Sequence, residues 1–380
     1  MSLSFALTDE QQTLRGVVRD FAERVIDPAA DDLAASGRFP VEIVRQMGEM
    51  GLFGIPFDEA YGGMGGDFLS LCLAIEEIGR VDQSLGITLE AAVGLGATPI
   101  HEFGTEDQKQ RWLPELCRGE KLAAFGLTEP GGGTDNWHAT RTRAVEDGDD
   151  WVINGSKAFI TNAGTEMSSV VTVTAWTGER EMTAIVVPLD TPGLTVAPPY
   201  RKVGWHHSDT RELSFVDCRV PKANTLGERG AGIRQFLATL DDGRIAISAL
   251  AVGMIQGCGD EGVRYANERE AFGKPIGKNQ AIAFKIADME VAAQTARHMY
   301  WNAAWKREQG QVYKREASIA KLYSSEQAVT AARQATQVFG GYGFMTEYRV
   351  GRFYQDAKIL EVGEGTSEVQ RILIARDLGL

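Results

Sequence analysis

The sequence predicts an α+β multidomain protein: an N-terminal α-helical domain, a middle antiparallel β-barrel or sandwich, and a C-terminal four-helix bundle. Three changes of texture carry this expectation. Apolar residues recur at spacings of three and four through residues 1–122; the period drops towards two over 123–229; the helical period returns over 230–380. A chain of 380 residues favours two or three packed units over one core.

Taken in order, Thr8 with Gln11 three residues on reads as a capping box. It is followed by the apolar stripe Leu14, Val17, Val18 and Phe21. Prolines at 28, 40 and 56 and the glycine cluster Tyr61-Gly62-Gly63-Met64-Gly65-Gly66 cut the region into short helices. Phe68 to Ile78 reads as a buried helix, and Ala91 to Phe103 as another, rich in small residues. In the middle region β-branched runs such as Val170-Val-Thr-Val-Thr174 alternate with turn residues. Asn154-Gly155 is the strongest hairpin signal. Beyond it, Ile282, Ile286, Met289, Ala293, Ala296, Tyr300 and Ala303 form one seam on a long helix, with a further helix from about Arg315 to Phe339.

Composition narrows the function. A hydrophobic share of 43% and a charged share of 24% are ordinary for a soluble globular enzyme. The formal net charge of −13 argues against a nucleic-acid partner and against an anionic membrane surface. Cys72, Cys117, Cys218 and Cys258 are widely spaced without a C-x-x-C pair, and the five histidines lack ligand spacing, so no metal site is expected. No secretory signal or membrane-length apolar run is visible, and a cytoplasmic location is expected.

Five segments look chemical. Phe125-Gly-Leu-Thr-Glu-Pro-Gly-Gly-Gly-Thr-Asp135 offers consecutive backbone N–H groups to an anion. Phe159-Ile-Thr-Asn162 sets an aromatic beside a hydroxyl. Glu268-Arg-Glu-Ala-Phe-Gly-Lys-Pro-Ile276, ahead of Gln280, combines a guanidinium with an aromatic. Gln337-Val-Phe-Gly-Gly-Tyr-Gly-Phe344 ends a helix in glycines that permit close backbone approach. Last, Gly363 and Gly365 flank a single carboxylate, Glu364, just before a helix that Ser367 and Gln370 can cap. Each segment alone is compatible with a plain loop or core.

Together and in this order they resemble the acyl-CoA dehydrogenase family over essentially the whole chain. The resemblance implies FAD, an acyl-CoA substrate, a homotetramer built as a dimer of dimers, and an electron-transfer flavoprotein as acceptor. It implies α,β-dehydrogenation to the trans-2-enoyl thioester, with Glu364 removing the α-proton while the β-hydrogen leaves as hydride to flavin N5. By the same resemblance Phe125, Leu127 and Thr128 lie along the flavin, Thr134 near its pyrophosphate and the acyl-CoA, Phe159 against the isoalloxazine and Thr161 near N5. Arg269, Phe272 and Gln280 reach the ADP half of FAD across a subunit boundary. Gln337, Val338, Gly340 and Gly341 form its pyrophosphate loop, and Thr366 and Glu368 close the site. Asp241 and Arg244, with Thr134 and Gly365, face the acyl-CoA.

Three departures stand out: Gln355 where an arginine is common, Asn136-Trp137-His138 where small residues are usual, and Phe159 in place of tryptophan. Some relatives carry the base on the helix beginning near Asp241. The matching position here is Gly243, which has no side chain, and Asp242 is expected to face elsewhere. The run Asp-Gly-Arg is reminiscent of short-chain members, with cavity depth left to residues such as Leu89, Ala92 and Leu95. An acyl-CoA oxidase, or a non-catalytic binding protein on the same fold, are the alternative readings.

Overall fold

The computed structural model describes residues 6–380. The first helix, Asp9–Phe21, carries the expected capping box. Thr8 Oγ1 accepts from Gln11 N (3.2 Å), and Gln11 Oε1 accepts from Thr8 N (3.0 Å). Its inward face centres on Val18, while Val17 is exposed. The helix Phe68–Gly79 begins at Asp67, whose side chain accepts from Ser70 N, and is buried along most of its length. Ala91 to Phe103 is not a separate helix. Helix Gln83–Glu90 runs on through a π-helical stretch, Ala91–Ala97, into Thr98–Phe103. Such wide turns recur at functional sites.

The middle region forms one seven-stranded sheet from β1 (Leu122–Gly126), β2 (Arg143–Asp147), β3 (Asp150–Thr161), β4 (Ser168–Gly178), β5 (Glu181–Pro188), β6 (Leu194–Val196) and β7 (Thr210–Pro221). The strand order is β1-β4-β2-β3-β7-β6, with β5 against β4. The sheet is mixed, which the antiparallel expectation missed. β1 pairs β4 in parallel, a contact between segments joined by a long crossover and so invisible to local periodicity.

Asn154-Gly155 is also not a turn. It lies inside β3, where the register slips between Ile153 and Gly155, and Asn154 clasps Asp217 on β7 with two hydrogen bonds. A Cβ at Gly155 would stand 2.4 Å from Thr142 Oγ1, so the glycine serves close approach. The real β2–β3 turn is Gly148-Asp149, with Gly148 at φ 62° and Asp147 paired to Asp150.

The C-terminal region is built on Gly232–Glu268, 37 residues long, against which Gln280–Glu308, Lys314–Phe339 and Arg349–Leu360 pack. A shorter helix, Ser367–Asp377, lies on Lys314–Phe339. Of the expected seam, Met289 through Ala303 are buried, and Ile282 and Ile286 are half-buried. Glycines let this bundle meet the N-terminal helices closely. A Cβ at Gly253 would stand 2.3 Å from the Glu76 carbonyl oxygen. One continuous apolar core therefore spans both helical regions, while the sheet keeps its own.

Candidate active site

The loop between Arg349–Leu360 and Ser367–Asp377 sets the position of Glu364. The cap of the second helix is Thr366, one residue before the expected Ser367: its side chain accepts from Val369 N. Glu364 takes φ 54° and Gly365 φ 95°. A left-handed conformation in a glutamate costs about 1–2 kcal/mol. Two buried side chains hold the backbone in it. Lys321 Nζ donates to the Gly365 carbonyl at 2.8 Å, and Gln370 Nε2 donates to the same oxygen at 3.0 Å.

The Glu364 carboxylate is not solvated. Both oxygens are buried, and no donor among the described residues reaches them. One wall is missing a side chain: a Cβ at Gly243 would stand 2.2 Å from Glu364 Oε2 and 3.2 Å from Leu95 Cδ2. Opposite lies Glu90, at the end of helix Gln83–Glu90 and 0% exposed. As two carboxylates the pair offers no donor, but with one proton they share a hydrogen bond. Burial pushes Glu364 up to about 7, against the pull of that hydrogen bond and of the Lys321 and Arg244 charges. Burial and the Glu364 charge push Glu90 well above the carboxylate range.

Asp241 and Arg244 form a buried ion pair one turn apart on the long helix, and Arg244 Nε is left without a partner. Asp242 faces away from Glu364, as the helical turn requires. It accepts from Tyr313 Oη at 2.6 Å and pairs with Arg307 at 2.9 Å.

A second cluster lies at the far end of the long helix. Arg269, Phe272, Val338, Gly340 and Gly341 line one cavity of ≈ 690 Å³ with Tyr265, Phe339 and Tyr342. The Arg269 guanidinium sits over the Tyr342 ring, and nothing lies within 4 Å of a Cβ built at Gly340 or Gly341. Phe272, at φ 53° in the turn between the paired strands Glu270–Ala271 and Lys274–Pro275, is 98% exposed. Gln280 and Gln337 are exposed nearby but do not line the cavity. Open backbone, a guanidinium and uncovered rings fit the phosphates and adenine of a dinucleotide.

The β-domain residues form a separate surface. Glu129 organises it. It accepts from Arg141 N, Thr142 N and buried Lys157 Nζ, tying the tri-glycine loop to β3. The Thr128 carbonyl accepts from Ala158 N, Leu127 is buried, and Phe125 stacks on Phe236 at 4.1 Å. Thr134 is exposed at the loop tip. Phe159 takes φ 61°, is exposed, and leans on Tyr200 at 5.3 Å. Thr161 is followed by buried Asn162, which donates to the Thr88 carbonyl and joins this strand end to the helix carrying Glu90. Glu368 is exposed in the first turn of the last helix.

The departures have structural outcomes. Gln355 Oε1 lies 2.8 Å from His206 Nε2, and Asp356 accepts from Trp205 N with its pKa pushed up to about 6 by burial. Asn136–Ala139 is a short helix whose Trp137 meets Trp176 edge-on at 4.8 Å. Sequence reasoning missed Glu90 and Lys321. A lone carboxylate in the small-residue run Thr88-Leu-Glu-Ala-Ala-Val-Gly94 was the available signal for Glu90.

The fold is of helix–sheet–helix architecture, with a buried carboxylate where the helical regions meet. Models of the acyl-CoA dehydrogenase N-terminal, middle and C-terminal domains match residues 8–120, 124–218 and 230–379. The chain is 49% identical to the probable acyl-CoA dehydrogenase YngJ of Bacillus subtilis, covering 99% of this chain and all of that one. The butyryl-CoA dehydrogenase of Megasphaera elsdenii superposes with TM-score 0.96 at 40% identity over the full length of both chains. A chain in the structure of the electron transferring flavoprotein of Acidaminococcus fermentans does so with TM-score 0.96 at 41% identity, covering 99% of each. The chain belongs to the acyl-CoA dehydrogenase family, a family of flavoprotein oxidoreductases.

Proposed function

We propose that this protein dehydrogenates a short acyl-CoA thioester to the trans-2-enoyl-CoA, with Glu364 as the base. The observation that carries the reading is the buried Glu364 carboxylate, which no donor among the described residues reaches. Its pKa, pushed up to about 7, suits a base working near neutrality. Arg244, with a free buried Nε, orients the thioester ligand beside it. The Glu364 backbone N–H, held in the loop that Lys321 and Gln370 grip, stabilises charge developing on the thioester carbonyl.

When bound, FAD supplies the acceptor for the hydride leaving the β-carbon. Phe125, Leu127, Thr128, Phe159 and Thr161 would hold its ring end and Thr134 its pyrophosphate, with Thr366 and Glu368 completing the site. The cavity around Arg269, Phe272, Val338, Gly340 and Gly341, flanked by Gln280 and Gln337, holds the nucleotide end of the flavin of a second copy. The 98% exposure of Phe272 supports such a neighbour, and a homotetramer satisfies it. The likeness to a chain of an electron transferring flavoprotein structure supports a flavoprotein electron acceptor.

The purified protein is therefore expected to be yellow, with about one FAD per chain, and to bleach anaerobically on adding butyryl-CoA. A flavin-loaded protein that no acyl-CoA bleaches would overturn the reading. Peroxide formed in air at the rate of turnover would make it an oxidase instead.

A further inference from the structure

Glu90 is unexplained by the reaction. Alkyl thioesters need a base, a hydride acceptor and apolar walls, and Glu364 already serves as the base. Yet a second carboxyl group, 0% exposed, abuts it. Neither of its oxygens meets a donor among the described residues. The ionisable groups facing it are Glu364 and the distant Cys72 thiol, while Glu364 in turn faces Lys321 and Arg244. Glu90 Oε1 lies over Gly94, where a Cβ would stand 3.1 Å away, so the side chain runs along the helix towards Leu95 and the Gly243 notch.

We propose that Glu90 selects the acyl group, and that the preferred thioesters carry a hydroxyl on the γ-carbon, seated against the Glu90 carboxyl. The inference rests on the dehydrogenase reading. The α- and β-carbons react and the carbonyl is held, so the γ-carbon is the first free to bear a donor. A hydrogen-bond chain then closes: the substrate hydroxyl donates to the Glu90 carbonyl oxygen, and the Glu90 O–H donates to the Glu364 carboxylate. Both Glu90 oxygens then have partners, and one Glu364 oxygen is left free to take the α-proton. Burial and the neighbouring charge push the Glu90 carboxyl upward, in the direction the chain requires. With Lys321 and Arg244 already facing the base, the site calls for a neutral donor rather than a third cation. A plain alkyl chain would leave the Glu90 carbonyl oxygen buried against hydrocarbon, a mismatch worth about tenfold to a hundredfold in discrimination.

The test uses three ligands on the FAD-loaded enzyme: 4-hydroxybutyryl-CoA, its isostere pentanoyl-CoA, and the larger cation 4-(trimethylammonio)butyryl-CoA. Wild type is expected to favour the hydroxyl compound over pentanoyl-CoA by tenfold or more in kcat/KM and in dissociation constant. Glu90→Leu should reverse that order, and Glu90→Gln, which keeps both a donor and an acceptor, should retain it. A role confined to tuning Glu364 would move every substrate alike. Equal or better use of pentanoyl-CoA by wild type, preference for the cationic compound, or a parallel loss in Glu90→Leu would overturn the proposal. Because dissociation constants need no turnover, a flavin that never bleaches would sink the dehydrogenase reading while binding still decides the role of Glu90. The wild-type comparison stands even if neither variant folds.

Discussion

A Cβ on Gly243 would stand 2.2 Å from Oε2 of Glu364, closer than any two such atoms approach. The helix residue and the loop residue are 121 positions apart in sequence, 364 less 243, yet one occupies the space the other leaves. Gly243→Ala should therefore leave the fold and flavin content intact, since the clashing group is the tip of a flexible side chain. It should displace the base by about an ångström and slow flavin reduction about 10²-fold. Rapid-mixing reduction with butyryl-CoA reads this directly; a wild-type rate would mean that Glu364 is not where the proton is taken.

Glu364→Gln keeps size and removes basicity. Reduction should fall about 10²–10⁴-fold while FAD and acyl-CoA still bind. Asp242→Asn should cost far less, because Asp242 is turned towards Tyr313 and Arg307. The reverse ranking in anaerobic stopped-flow experiments would move the base to the long helix.

Acid–base behaviour has a defined sign. A base with pKa about 7 is active when deprotonated, so kcat/KM should rise with pH through neutrality. The Lys321 charge lowers the Glu364 pKa, and Lys321→Met should shift that rising limb to higher pH. A limb that stays put or moves down would show that the two charges do not communicate.

The tri-glycine loop depends on a buried ion pair, Lys157 Nζ to Glu129 Oε1 at 2.8 Å. Lys157→Met leaves the Glu129 charge buried, with only two backbone donors. The expected loss is about 3–5 kcal/mol in chemical denaturation, with weakened flavin retention. A loss under 1 kcal/mol would mean that the loop holds itself.

How legible these features were depended on how local their causes are. The Thr8 capping box involves four consecutive residues, and it stands as read. Asn154-Gly155 carries the same kind of local signal and misleads. Its partners, Thr142 just before β2 and Asp217 on β7, lie elsewhere in the chain, and the backbone conformation answers to them. The parallel pairing of β1 with β4 is non-local in the same way. At the site, the glycines around Glu364 announced a special loop, but not that the glutamate itself would take the left-handed conformation. Glu90 could not be weighed from its neighbours in sequence. Its meaning comes from a carboxylate 274 positions away, 364 less 90.

The left-handed backbone of Glu364 bears on how such a site can change over generations. At φ 54° the position suits glycine better than glutamate, and Gly243 shows that the helix position is where a longer side chain would enter the same space. The two positions thus form an exchangeable couple, one carboxylate and one glycine. Moving the acid to the helix would relieve the loop of its torsional burden, and the vacated loop residue would relax as glycine. Acids at both positions would crowd two charges into one space, and glycines at both would leave none. A lineage crossing from one arrangement to the other must therefore pass through a chain that is either overfilled or inert, so the location of the base should be inherited with its partner glycine as a unit.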